Sequence, residues 1–316
     1  MKYISILTLC EDEAEYVRDI YEQVKKEMEA EDGYDYEHLF LDNHSEDGAI
    51  EVLRELAAED SHVRVIRTTR PFDSDKAMTY GLFQCSGDVA ISTYCNPRDD
   101  MAMIHDFLRR WESGVPVILA QRDPKLIVGF REWLRKRCYA LVEKLSNLDA
   151  LQNITGFALY DRKVLDMIRW MNDPEPYMRG LIPQLGYPYE LYNYFPNVYE
   201  PKNGKRYKAT LDSYLSYAFL GMTHASNKPL RIATFLGMIM SGVSFVIAIV
   251  FLILKLAVFP WYEGSAIATI ISLFLLGSIQ LLVIAGIGEY IGAILTRITK
   301  RPMVIEAERL NFDEES

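Results

Sequence analysis

Five short apolar runs, separated by stretches of helical periodicity, constrain this chain more than any other feature. YISILTL (Tyr3–Leu9) is rich in β-branched residues; behind it Val17, Ile20, Val24 and Met28 share one helical face, with acids and lysines on the other. YEHLFL (Tyr36–Leu41) is the second strand. Its turn DNHSEDG leads to a helix carrying Ile50, Leu53, Leu56 and Ala57, with Ser45 as the expected N-cap and acids in the first turn. HVRVIR (His62–Arg67) precedes a helix around Lys76–Gln84, and Gly87 opens the fourth strand, DVAIST. A helix with Ile104, Phe107, Leu108 and Trp111 then leads to PVILAQR (Pro116–Arg122). Strands alternating with helices at this spacing indicate parallel βαβ units, whose ligands bind outside the carboxyl ends of the strands. Those ends carry Glu11, Asp12 and Glu13; Asp42 and Asn43; Arg70; Tyr94–Asp99; and Arg122. Acids beside arginines suit an anionic ligand with a divalent cation.

The 316 residues carry a formal net charge of −10, which argues against a nucleic-acid partner, since phosphate affinity rests on clustered Lys and Arg. Cys10, Cys85, Cys95 and Cys138 are scattered, with no C-x-x-C pair, so reduced thiols are expected. The mean hydropathy of −0.02 hides a break in composition. No charge occurs in Thr234–Leu254 or in Gly264–Gly288, and at about 1.5 Å per helical residue each covers a bilayer's hydrocarbon core. Two buried helices would need a partner layer that the polar tail after Arg301 does not supply. The expectation is therefore an integral membrane protein with transmembrane helices over about 233–256 and 265–289. Lys228, Arg231, Arg297, Lys300 and Arg301 flank the spans on the side of both termini, which the positive-inside rule places in the cytoplasm. The N-terminal apolar run is too short for a signal peptide.

Residues 130–145 mix aromatics and leucines with Lys and Arg, and 210–222 place Leu211, Tyr214, Leu215, Ala218, Phe219 and Met222 near one face. Each lies either at a membrane surface or packed on the sheet, and the short distance to the first span tilts the second toward the interface. The expected organisation is a cytosolic domain over 1–205, an interfacial region over 206–230, two spans within 231–296 and a cytosolic tail over 297–316. The closing NFDEES reads as disordered. Small residues in the spans, Gly237, Gly242, Gly277 and Gly288 among them, permit close helix packing within the chain or between copies as a homo-oligomer.

In this order the motifs resemble the membrane-anchored family-2 glycosyltransferases that act on polyprenyl phosphates, the dolichyl-phosphate-mannose synthases and bactoprenol glucosyltransferases. SILTLCEDEAEYV is similar to the family's opening strand and acidic turn, and LDNHSEDGAIEVL to its nucleotide-binding turn. GDVAIS with PRDDMAMIHDFLRRW, then ITGFALYDRKVLDMI, PEPYMRGLIPQLGY, NKPLRIAT and IGEYIG complete the order. The resemblance implies a GT-A-like α/β fold, with a mostly parallel sheet flanked by helices. It also implies sugar transfer from a nucleotide-diphosphate sugar to a polyprenyl phosphate at a lipid bilayer.

Carried over by position, Glu11, Glu13, Asp42, Asn43, Lys76, Asn96 and Arg122 would bind the nucleotide sugar. Lys208 and Arg206 would meet the lipid phosphate. Asp99 and Arg122 would be catalytic, and Asp99 with Asn96 would hold Mg²⁺ or Mn²⁺. Two departures stand out. Tyr94-Cys95-Asn96 replaces the family's Asp-x-Asp, and Gly156-Phe157-Ala158 lacks the acid and arginine that many relatives carry. A missing general base would cost about 10²–10⁴ in rate with a sugar hydroxyl as acceptor. A monoalkyl phosphate, with a second pKa near about 6, is already an anion at pH 7. The other reading is a degenerate relative that binds nucleotide sugar, lipid phosphate or a partner without turnover.

Overall fold

Seven consecutive residues of the first strand, Ile4 to Cys10, are buried, as a strand covered on both faces requires. The computed structural model describes residues 2–96, 99–122, 154–171, 173, 178–195 and 302–312, with scattered positions between 246 and 294. The order is β1 (Lys2–Cys10), α1 (Ala14–Glu29), β2 (Tyr34–Asp42), α2 (Ala49–Glu59), β3 (Val63–Thr68), α3 (Ser74–Gln84), β4 (Val89–Tyr94), α4 (Met103–Glu112) and β5 (Val117–Arg122). There follow β6 (Ile154–Asp161), α5 (Arg162–Met171), α6 (Met178–Leu185), β7 (Tyr189–Tyr194) and β8 (Glu306–Leu310).

The eight strands form one sheet in the order β7-β5-β6-β4-β1-β2-β3-β8. β1 pairs in parallel with β2 and β4, β2 with β3, and β5 with β7. β6 runs antiparallel between β4 and β5, and β8 antiparallel to β3. This is the expected GT-A-like arrangement, a mostly parallel sheet flanked by helices. The side-chain alternation of β1 assigns its two faces. Ile4, Ile6 and Cys10 join Val17 and Ile20 of α1, Leu53 of α2 and Phe107 of α4 in one core. Leu7 and Leu9 join Ala77 and Leu82 of α3, Leu165 of α5 and Ile182 of α6 in the other. Each fully buried Leu or Phe contributes roughly 1.5–3 kcal/mol.

Three expectations need correction. Ser45 is not the N-cap of α2: Gly48, with φ of 91°, holds that position without a side-chain cap, and Ser45 serves a neighbouring turn. Nor is NFDEES disordered at its start. Asn311 Nδ2 donates to the carbonyls of Ala57 (2.6 Å) and Val63 (2.9 Å), and the Arg64 and Arg309 guanidinium groups lie over the Phe312 ring. Finally, the localisation as an integral membrane protein with two spans is overturned: among the described residues no helix is long and apolar enough to cross a membrane. Most of 233–256 and 265–289 lies outside the described residues, as do 130–145 and 210–222.

By its internal packing the chain divides into two units, one of Met1–Arg135, Asp149–Lys208 and Lys300–Ser316, the other of Lys136–Leu148 and Ala209–Thr299. The first contains the whole sheet, β8 included.

Candidate functional site

At the carboxyl ends of β1 and β2 the two following turns lock into each other. Asp12, at φ of 57°, donates its N–H to Ser45 Oγ (3.1 Å), and Asp12 Oδ1 accepts the N–H of Glu46 (2.9 Å). Asp47 spans both helix starts: its Oδ2 accepts the N–H of Ala14 (2.7 Å) and its Oδ1 that of Ala49 (3.2 Å). A carboxylate there satisfies otherwise orphaned N–H groups and sits at the positive ends of α1 and α2. The acidic run of each turn is thus spent on geometry as well as charge.

Asn43 ties this rim to the loop after β3. Its Nδ2 donates to Glu11 Oε1 and to the Phe72 carbonyl, both at 2.8 Å, while its Oδ1 accepts the Phe72 N–H (3.0 Å) and the Thr68 hydroxyl (3.4 Å). Glu11 also accepts Ser74 Oγ of α3 at 2.8 and 3.0 Å. Asp42, fully buried, accepts the Ser45 N–H at 3.0 Å through Oδ1. Its Oδ2 lies 3.2 Å from Arg67 Nε, too poorly aligned for a hydrogen bond, and has no hydrogen-bond partner among the described residues. Burial pushes the Asp42 carboxyl upward, against the opposing pull of Ser45 and Arg67. Glu11, Asp42 and Asn43 are brought together as expected. Lys76 stands in the first turn of α3, behind Ser74, and Asp73 caps that turn by accepting from the N–H groups of Asp75 and Lys76. Glu13 ends the β1 turn, its carbonyl 3.9 Å from Cys95 Sγ.

A second group forms beyond β4, β5 and β7. Tyr94 turns its ring onto Gly156 of β6. Cys95 is fully buried, in the same core as Cys10, and donates its backbone N–H to the Leu9 carbonyl at 2.8 Å. Asn96 and Asp99 follow, both buried. The Tyr194 phenol donates to Asp99 Oδ1. Burial first, and the Asp99 carboxylate second, raise the Tyr194 pKa, so the phenol keeps its proton. Arg122 is the register partner of Tyr194, and its buried Nε has no hydrogen-bond acceptor among the described residues. Asp99 and Arg122, expected to be catalytic, therefore belong to one constellation. Lys208 and Arg206 lie outside the described residues.

The expected Mg²⁺ or Mn²⁺ site does not match its donors. A hard cation takes several oxygens, carboxylates foremost. Here Tyr94 offers a ring, Cys95 a buried thiol and Asn96 a neutral amide, while Asp99 accepts from Tyr194 and Asp100 Oδ1 accepts the Ala102 N–H at 3.0 Å. Among the described residues no group of three or more His, Cys, Asp or Glu side chains could hold a metal ion. Sequence reasoning missed Ser74 and Tyr194. The first had a signal, a serine just after the Asp73 cap; the second had none nearby, because its partner Asp99 is distant in sequence.

The chain is similar along most of its length to several glycosyltransferases. The uncharacterized glycosyltransferase YkcC of Bacillus subtilis is 29% identical over 302 residues, 95% of this chain and 92% of that protein. The prophage bactoprenol glucosyl transferase homolog of Escherichia coli is 28% identical over 307 residues, covering 96% and 97%. The bactoprenol glucosyl transferase of Shigella phage SfII is 27% identical over 307 residues, covering 96% of each. The family model for glycosyl transferase family 2 matches residues 5–169, from the middle of β1 through most of α5; it takes in the first cluster and, of the second, Tyr94 to Arg122 and Gly156, while Tyr194 lies beyond it. With more than half its length matched in this way, the chain belongs to glycosyl transferase family 2.

Proposed function

We propose that this chain transfers a sugar from a nucleotide-diphosphate sugar to a polyprenyl phosphate. The observation that carries the reading is the full-length similarity to bactoprenol glucosyl transferases, superimposed on a polar rim at the sheet's carboxyl edge. In that rim Asp42 keeps a buried carboxylate oxygen without a hydrogen bond among the described residues, a fitting acceptor for a base N–H or a ribose hydroxyl. Glu11 and Asn43, held by Ser74 and Phe72, belong to the same rim. Glu13 is assigned to the nucleotide-sugar side of this rim, Lys76 and Arg122 to positive charge for phosphates, and Lys208 and Arg206 to the acceptor phosphate.

The chemistry fits an acceptor that arrives charged. A phosphate oxygen attacks the anomeric carbon, the bond from that carbon to the diphosphate breaks, and its electron pair leaves with the nucleoside diphosphate. No proton has to be removed from the nucleophile at neutral pH. Gly156-Phe157-Ala158, which offers no base, is compatible with this acceptor and would handicap a hydroxyl.

The test is direct. Purified protein, polyprenyl phosphate in detergent and a panel of labelled nucleotide sugars should yield a labelled lipid product. Nucleotide binding without transfer from any donor would replace this reading with that of a binding protein.

A further inference from the structure

The ends of β4, β5 and β7 pose a charge problem. A departing diphosphate needs positive charge or aligned donors at the site where its charge develops. The end of β4 supplies one neutral amide and two carboxylates already engaged, Asp99 by the Tyr194 phenol and Asp100 by the start of α4. Across the rim the character reverses. Arg122 ends β5, and its Nε is buried without an acceptor among the described residues. An unsatisfied buried donor is costly, and an arriving phosphoryl oxygen offsets that cost.

We propose that Arg122, rather than a divalent ion gripped at the end of β4, neutralises the diphosphate of the donor, and that Tyr194 acts as its positioning residue by holding Asp99. With its Oδ1 occupied by the phenol, Asp99 is a poorer partner for the guanidinium and a poorer ligand for a cation. The guanidinium is left to meet two phosphoryl oxygens in its fork geometry. The inference rests on the nucleotide-sugar reading above, and adds how its leaving group is stabilised.

Calorimetric titration of the full chain with UDP, GDP, ADP and CDP, each with a chelator and again with Mg²⁺ or Mn²⁺, tests it. For the tightest binder, affinity should change by less than about threefold on chelation. Arg122→Gln should lose about 10–100-fold, the range of a lost hydrogen bond to a charged group, and Arg122→Lys should recover part of it. Tyr194→Phe releases Asp99, so its affinity should fall in chelator and rise again with metal, a response that a purely structural role would not produce. Binding that disappears in chelator and returns with Mn²⁺ in the parent overturns the inference alone. Parental affinity in a folded Arg122→Gln protein overturns it too, and should that variant not fold, Arg122→Lys provides the measurement. Failure of all four nucleotides with and without metal overturns the nucleotide-sugar reading and this inference together.

Discussion

The Tyr94 ring lies so close over Gly156 that a β-carbon built on the glycine would fall 2.1 Å from Cε2, 2.8 Å from Cζ and 3.0 Å from Cδ2. The two places where the chain departs from its family's pattern are thus in contact, and the ring occupies space that a side chain at 156 would need. Gly156→Ala should destabilise the protein by roughly 1–3 kcal/mol through overpacking. Tyr94→Ala in the same molecule should recover much of that loss. Urea unfolding of the two single variants and the double variant measures the coupling. A Gly156→Ala protein with the parent's unfolding midpoint would show that the ring is not fixed there.

Asn43 makes four hydrogen bonds that join Glu11 to the loop from Thr68 to Phe72. Asn43→Ala leaves the Phe72 N–H and carbonyl to find new partners, at a cost of about 1–3 kcal/mol. It also lets Glu11 drift from Ser74. The expected result is a lower denaturation midpoint together with weaker nucleotide binding. Unchanged nucleotide affinity in the variant would separate Glu11 and Asn43 from the ligand.

His105 of α4 sits between two carboxylates, Glu27 in α1 and Glu31 in the turn just after it, with Nε2 2.6 Å from Glu27 and Nδ1 against Glu31. Glu31 first, and Glu27 after it, raise the imidazole pKa above its ordinary value of about 6.5, outweighing partial burial. A raised folded-state pKa means that the charged clamp contributes fully below about pH 6.5 and fades as pH climbs through the folded value. The stability gap between the parent and His105→Gln should therefore be wider at about pH 6 than at about pH 9. Denaturant titrations at the two pH values decide it; an equal gap would mean that the ion pairs add nothing.

Two contacts at the β8 edge should differ in weight. Glu308 meets Arg54 through bonds of 3.0 and 2.6 Å, yet the arginine side chain is 45% exposed, so Glu308→Gln should cost no more than about 1 kcal/mol. Asn311 holds φ of 58°, a left-handed conformation that asparagine tolerates better than most residues, and donates to two backbone carbonyls. Asn311→Ala should cost about 1–3 kcal/mol. Comparable midpoints for the two variants would count against this ranking.

Much of the central sheet was legible because its strands are nearly continuous apolar runs. β1, read as 3–9, spans Lys2–Cys10, and β5, read as 116–122, spans Val117–Arg122. The polar strand ends that line the rim were legible for the same reason, since a parallel sheet exposes its turns where its strands stop. Positions set by distant partners were not. Ser45 satisfied the local rule for a helix cap, but the Asp12 N–H competed for its hydroxyl. EAERL alternates half-buried and exposed residues at a sheet edge, so its pattern resembles a charged tail until its pairing with β3 is seen. Tyr194 gains its role from Asp99 and Arg122, neither of which lies near it in sequence.

The pairing of β3 with β8 also orders events during synthesis. On the ribosome the outer edge of β3 emerges early, while residues 306–310 are added only after the whole second unit has been made. For that interval the nascent sheet carries a bare row of N–H and C=O groups, open to neighbouring chains, which the last strand to arrive then seals.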